Sequence, residues 1–313
     1  MPGPSRFPLP LIAAFFALYI IWGSTYLVIR IGVEHWPPLL LAGIRFVLAG
    51  SLMYGFLRWR GAPAPTWAQW KAGAIIGVLL LSFGNGAVSV AEHTGVASGV
   101  AALAVATVPL FTLLCGYFWG ARNTRLEWAG IVLGLIGIAM LNLGSNLQSS
   151  PLGATLLVFA AASWAFGSVL SKHLPLPAGA MASAVEMLVG GVVLLIGSFA
   201  SGEHLERIPP FEGWFALAYL TFFGSIIAFN AYMNLLKHVR PAAAPSYAYV
   251  NPAVAVLLGI VFVGETIGME EALAMLVIIS AVVLIGLPQW RRPVQPLVVE
   301  PPKTAVGAEQ RVN

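Results

Sequence analysis

Two ionisable residues stand deep inside long apolar runs, and they are the first candidates for chemistry. Arg45 lies about eight residues into the run from Pro38 to Leu57, and Glu186 about nine into the run from Ala178 to Ala200. An ion near the centre of a hydrocarbon layer costs from about 3 kcal/mol upward, so such a residue faces a partner or a watery cavity. At about 1.5 Å per helical residue, both fall within several ångströms of the midplane. They could form a static ion pair that fixes helix register, or Glu186 could carry a proton in answer to solute or water. Glu92 and His93 close the third run; a carboxylate beside an imidazole could relay protons there, or the two could be solvated at an interface. Trp22 and Trp164 lie deeper than an interfacial belt requires, where they could stack on a solute, cap a cavity or pack the core. Ser24, Thr25, Asn85, Ser89, Asn230, Asn234, Ser246, Tyr247, Tyr249 and Asn251 add uncharged polar groups to the first, third, eighth and ninth runs. Such groups suit a solute cavity or helix contacts, the latter worth about 0.6 kcal/mol each. Pro109 and Pro252 each remove a helical hydrogen bond, which makes them hinge candidates.

The elements that must position these residues follow from composition. Of 313 residues, 59% are apolar and 9% charged, with a mean hydropathy of +0.87. A soluble globular chain needs roughly a quarter charged residues to cover its surface, so this one is not built to face water. All acids are Glu, which excludes chemistry on paired aspartates, and the lone Cys115 permits no internal disulfide and suits a small buried position. Runs long enough to cross about 30 Å of hydrocarbon cover Pro10–Ile31, Pro38–Leu57, Ala72–Ala91, Val96–Tyr117, Leu126–Leu143, Gly153–Ser171, Ala178–Ala200, Trp214–Leu236, Ala242–Val263 and Ala272–Leu287. The sequence thus predicts an all-α membrane protein with ten transmembrane helices. The first run is too long for a cleaved leader, ends in Arg30 and is followed by nine more. With the N-terminus inside, thirteen of the 16 Lys and Arg fall in cytoplasmic segments and only Arg30 and Arg207 opposite, which predicts both termini in the cytoplasm. The basic balance is therefore an orientation signal and does not call for nucleic acid. Beyond Leu287 the chain turns to Arg291, Arg292 and a cluster of prolines, read as a disordered cytoplasmic tail over 291–313.

The chain also repeats. Trp22 and Trp164 are 142 residues apart, Arg45 and Glu186 141, Trp70 and Trp214 144, Pro109 and Pro252 143, Glu127 and Glu270 143. Residues 1–145 and 146–290 therefore read as two five-helix repeats, and because five is odd the second enters the membrane from the opposite side. Small residues four apart, such as Gly73 with Gly77 and Gly130 with Gly134, allow close helix approach; Gly130, Gly134 and Gly137 suit packing within the fold or a homodimer face.

The sequence holds no phosphate-binding GxxxxGK[ST] run, no HExxH, and no nucleophile turn, since Val96 stands where the first Gly before Ser98 belongs. That leaves a secondary transporter ahead of an intramembrane enzyme or a passive channel, with no cofactor or metal called for. The run Trp22-Gly23-Ser24, Arg45, the prolines Pro109 and Pro252, and Gly264-Glu265 resemble the drug/metabolite transporter superfamily. From Leu11 to Leu287 the chain resembles the ten-helix EamA-type exporters of bacterial inner membranes, through YIIWGSTY, VAEH, TVPLF, SWAFGSV and SYAYVNPAVAVLLG. The resemblance implies a cavity between the halves and export of small metabolites, amino acids or drug-like compounds across the lipid bilayer, with coupling to protons or exchange. One departure is Arg122, near where the first repeat would carry the counterpart of Glu265.

Overall fold

A computed structural model describes residues 9–120, 124–144, 151–238, 247–258, 261 and 268–290. Ser246, Gly264, Glu265, Arg122 and the tail from 291 lie outside the described residues. Every regular element among those described is helical. In order they are α1 Leu11–Val33, α2 Pro38–Trp59 and α3 Trp67–His93, then α4 Ser98–Val105, α5 Val108–Phe118 and α6 Arg125–Gly144. There follow α7 Pro151–Leu170, α8 Ala180–Ala200 and α9 Phe211–His238, and last α10 Tyr247–Leu258 and α11 Met269–Trp290. Six of these, α1, α2, α3, α7, α8 and α9, are long and apolar enough to cross a membrane. A segment in hydrocarbon must satisfy its own backbone groups, as a helix does within itself, and these runs are apolar on the outside as well. Leu48, Leu52 and Phe56, four apart on α2, all face outward.

Local chemistry sets the boundaries. Thr66 opens α3 and Thr124 precedes α6 with reciprocal side-chain and backbone bonds to Gln69 and Glu127, which satisfy two free amides each. Glu203, beyond the end of α8, accepts from the Leu39 and Leu40 amides and so caps α2 with a negative charge. The fourth run, expected as one helix, is instead broken at Ala106 and Thr107. Pro109 lacks the amide that would bond the Val105 carbonyl, so α4 stops there and α5 restarts from the Thr107 carbonyl, which accepts from Leu110 and Phe111. Pro252 lies within α10. Three helices widen locally to π-helical turns: α1 over Leu18–Trp22, α3 over Val78–Asn85 and α9 over Leu220–Phe229.

Helix packing follows a swap rule. α2 packs on α8, and α6 on α11; α3 packs on α7 as α9 does on α1; and α4 and α5 pack on α7 as α10 does on α1. Each of these contacts thus has its counterpart when helices about 142 residues apart are exchanged. Glycines fix the α2–α8 register: a Cβ on Gly43 would meet Leu195, one on Gly50 would lie 2.7 Å from the Leu188 amide nitrogen, and one on Gly191 would lie 2.7 Å from the Val47 amide nitrogen. As residue numbers rise on α2 they fall on α8, so the two helices are antiparallel with backbones in contact. On the other pair, a Cβ on Gly134 would sit 3.5 Å from Ala281, and Gly130, Gly134 and Gly137 are all buried within the single chain. That small-residue stripe faces α11.

Candidate functional site

The antiparallel register decides the first question about the two buried charges. Gly43 opposite Leu195 and Gly50 opposite Leu188 put Arg45 level with Val193. That is seven residues from Glu186, or about 10 Å along the axis. The ion pair, one of the two readings open from sequence, therefore does not form: among the described residues the only salt bridge joins Arg30 to Glu34, at 3.5 Å. Equal depth in sequence misled here, because each charge lies in the first half of its helix and the helices run in opposite directions.

Arg45 instead lines a cavity with ≈ 610 Å³ of empty space, counted out to its open side. Its walls come from α1 (Trp22, Thr25, Tyr26, Ile29), α2 (Arg45, Phe46), α3 (Leu81, Gly84, Asn85, Val88), the α4–α5 break (Val105, Val108), α7 (Ala160, Trp164), α9 (Gly224, Phe229) and α10 (Tyr247). The π-helical turns of α3 and α9 supply Leu81, Gly84, Asn85, Gly224 and Phe229. Along α1 and α3 the lining runs from Trp22 and Leu81 toward the ends that carry Val33 and His93. The cavity thus occupies one half of the helix length.

The guanidinium is held at one edge. Arg45 Nε donates to Ser225 Oγ at 2.8 Å, and that hydroxyl donates onward to the Leu220 carbonyl, so its lone pair faces Arg45. Its Cζ lies over the Phe46 ring, 4.6 Å from the centroid. Nη1 reaches Asn85 Oδ1 at 3.4 Å, a long contact, and Nη2 abuts Gly224, where a Cβ would approach to 2.9 Å.

At its inner end the cavity stops on four aromatic rings. Trp22 and Trp164, equivalent positions in the two halves, meet edge to face at 5.6 Å, and Tyr247 packs on Trp22 at 4.6 Å. Tyr232 lies 5.2 Å from Trp22 and 5.6 Å from Trp164. Its hydroxyl accepts from Trp164 Nε1 at 3.1 Å and donates to Ser168 Oγ at 2.6 Å, while Trp22 Nε1 donates to the Gly224 carbonyl at 3.0 Å. Every polar edge of the two indoles is satisfied, so the cluster is a fixed plug.

Glu186 lies on the far side of the plug. Its carboxylate is fully buried with neither oxygen hydrogen-bonded, and Lys237 and Tyr232 are within electrostatic reach. The backbone packs tightly there, since a Cβ on Gly77 would fall 2.3 Å from the Glu186 carbonyl oxygen. Asn230 lies on the same side, 3.5 Å from Ser183 Oγ. Glu92 and His93 part company: as neighbours on a helix they point about 100° apart. Glu92 is fully buried with both oxygens unpartnered, whereas His93 is exposed and its Nδ1 lies 3.1 Å from the Val33 carbonyl. A solvated Glu92 is thus corrected to a buried one near Tyr26, whose other neighbour is the buried Asn251. Ser24 is spent on the Ile21 carbonyl and the Tyr219 hydroxyl, each at 2.7 Å.

Of the residues singled out from sequence, the cavity gathers Trp22, Thr25, Arg45, Asn85, Trp164 and Tyr247, and leaves out Ser24, Ser89, Glu92, His93, Glu186, Asn230, Asn234 and Asn251. Ser225, Gly224 and Tyr232 were not among them. The first two hide in the apolar run of α9, where only a Gly-Ser step between Phe222-Phe223 and Ile226-Ile227 hinted at them.

Comparison with known proteins agrees with this architecture. The EamA-like transporter family matches the chain twice, over residues 9–143 and 151–287. The "Uncharacterized inner membrane transporter YedA" of Escherichia coli strain K12 is 55% identical over 290 residues, covering 93% of this chain and 95% of that one. A "Probable amino-acid metabolite efflux pump" of Salmonella typhimurium is 30% identical over 272 residues, covering 82% and 89%. A solved crystal structure superposes with a TM-score of 0.69 over 90% of this chain and 99% of its own, at 20% identity, a likeness of fold alone. This membrane transporter belongs to the EamA-like transporter family.

Proposed function

We propose that the chain is a secondary exporter of the bacterial inner membrane that works by alternating access. In this reading it has ten spans in two inverted five-helix repeats, residues 1–145 and 146–290, followed by a cytoplasmic tail, with both termini inside. The observation that carries it is the cavity itself, walled by helices of both halves and stopped midway by the Trp22–Trp164 plug. Antiparallel packing of α2 on α8, and contacts that come in swap-related pairs, support two halves that can exchange shapes and so open the site first to one side, then to the other. With the termini inside, the present cavity faces outward. Pro109, at the α4–α5 break, is a hinge for that exchange, and Pro252 is its counterpart. Glu186, buried and unpartnered on the sealed side, is the group we assign to proton coupling.

The efflux pump among its relatives is named for amino-acid metabolites, which makes amino acids the first solutes to try. The test is charge movement by purified protein in liposomes on a solid-supported membrane, with a panel of amino acids and cationic drugs applied at two pH values. A saturable transient whose pH dependence disappears in Glu186→Gln is expected. Unchanged proton-coupled flux in that variant would remove Glu186 from the mechanism, and sustained single-channel currents in a planar bilayer would point to a channel instead.

A further inference from the structure

Arg45 is a charge kept without its counter-ion. It is 3% exposed and mid-helix, its partners are a hydroxyl and an amide, and none of the residues lining the cavity is acidic. Taking a guanidinium out of water is costly unless an anion meets it, so the geometry leaves part of that stabilisation to be supplied from the cavity. The way the group is held says which part. Ser225 takes Nε, the inner edge, and Phe46 covers one face. Nη1 makes one long contact and Nη2, beside the bare Gly224, has no hydrogen-bond partner among the described residues, so the terminal pair keeps donors free for a ligand. Two parallel N–H groups at the end of a guanidinium match the two oxygens of a carboxylate. The remaining walls, Phe46, Leu81, Val88 and Val105 with Trp22 at the floor, suit an apolar body and offer no anion for an ammonium.

We infer that the transported solute is an organic anion with an apolar or aromatic body, its carboxylate held end-on by the two terminal nitrogens of Arg45 while its body packs toward the Trp22–Trp164 plug. This rests on the transporter reading and narrows it: cationic drug-like compounds are excluded as cargo. Gly224 is a positioning residue in this account, because its missing side chain is what lets Nη2 stand in the cavity. A methyl group there would meet the flexible tip of Arg45 at 2.9 Å and the Thr25 methyl at 3.2 Å, side-chain atoms in each case, so Gly224→Ala moves the charge at the cost of a small shift of the Thr25 side chain.

The experiment is equilibrium binding to the purified full chain in nanodiscs, read by tryptophan fluorescence. The probes are acetate, phenylacetate and indole-3-acetate, each compared with its amide and with the amine of the same body. At least one carboxylate is expected to bind about tenfold or more tightly than its amide and its amine, the range of a charge-assisted bidentate contact. That gap should shrink to near parity in Gly224→Ala and in Arg45→Gln, with Arg45→Lys intermediate. The wild-type comparison stands even where an Arg45 variant fails to fold. Amine or amide binding as tight as the carboxylate, no binding of any carboxylate, or a gap that persists in a folded Gly224→Ala would overturn the assignment. Counterflow of the bound probe in proteoliposomes separates the two readings. An Arg45-dependent carboxylate that binds but never exchanges leaves the anion site and removes transport. Exchange of a solute indifferent to Arg45 and to carboxylate leaves transport and removes the anion site.

Discussion

Arg45 and Glu186 occupy matching positions on two helices that pack backbone to backbone, yet their surroundings differ in kind. Around Arg45 the wall is held back: Ser225 and Phe46 hold the guanidinium and a cavity opens in front of it. Around Glu186 the helices close, with the Gly77 backbone pressed against the Glu186 carbonyl and Gly190 pressed back against Gly77. Between them lies the ring of Trp22, Trp164, Tyr232 and Tyr247. Two equivalent places in a repeated fold cannot be identical in one conformation if a site is to face one side only. In our account the asymmetry between the charges is the conformational state, and the exchanged state opens the Glu186 side while closing on Arg45.

The comparison breaks most readily at the sealed half. Gly77→Ala places a methyl group 2.3 Å from a backbone oxygen that cannot yield without moving a helix, and a loss of about 3 kcal/mol is expected. Gly197→Ala, whose nearest neighbour would be a Leu39 methyl at 3.6 Å, should stay within about 0.5 kcal/mol, both read by thermal unfolding in one detergent. Next in size is the plug: Tyr232→Phe strands the Trp164 indole N–H and removes a bond to Ser168 Oγ, whose own proton stays on the Trp164 carbonyl, at a cost of about 1–2 kcal/mol. Tyr219→Phe, which removes only a half-buried bond to Ser24, should cost about 0.5 kcal/mol in the same assay. The smallest effect sharpens the comparison. Because about 10 Å separates the two charges along the helices, Arg45→Ala and Glu186→Ala should combine additively to within about 0.5 kcal/mol. A coupling of about 2 kcal/mol or more would restore the ion pair that the register denies.

The helices were legible because hydrocarbon demands a run of about 20 apolar residues, and that demand shows in any window of the chain. The break before Pro109 was not, since a proline inside an apolar run is compatible with a kink or with a new start. Arg45 and Glu186 stood out by charge, but their distance depends on the α2–α8 register, which glycine contacts set and no spacing within one helix reveals. Glu92 shows the same gap: sequence placed it near a helix end and said nothing about the face it takes. Lipid and core are equally apolar, so polarity could not separate the cavity-lining Asn85 from Asn230 across the plug. Gly224 and Ser225 matter through the shape they leave around Arg45, a property of three helices together.

That last pair of asparagines gives the most direct test. With Cys115 replaced by serine, Asn85→Cys and Asn230→Cys place one thiol on each side of the plug, both at half-buried positions on α3 and α9. Intact cells are treated from outside with a small membrane-impermeant thiosulfonate, and the modified fraction is read by mass spectrometry. The account predicts labelling at Asn85→Cys and protection at Asn230→Cys. Equal labelling of the two, or labelling of Asn230→Cys alone, would contradict a cavity that faces outward above a closed aromatic plug.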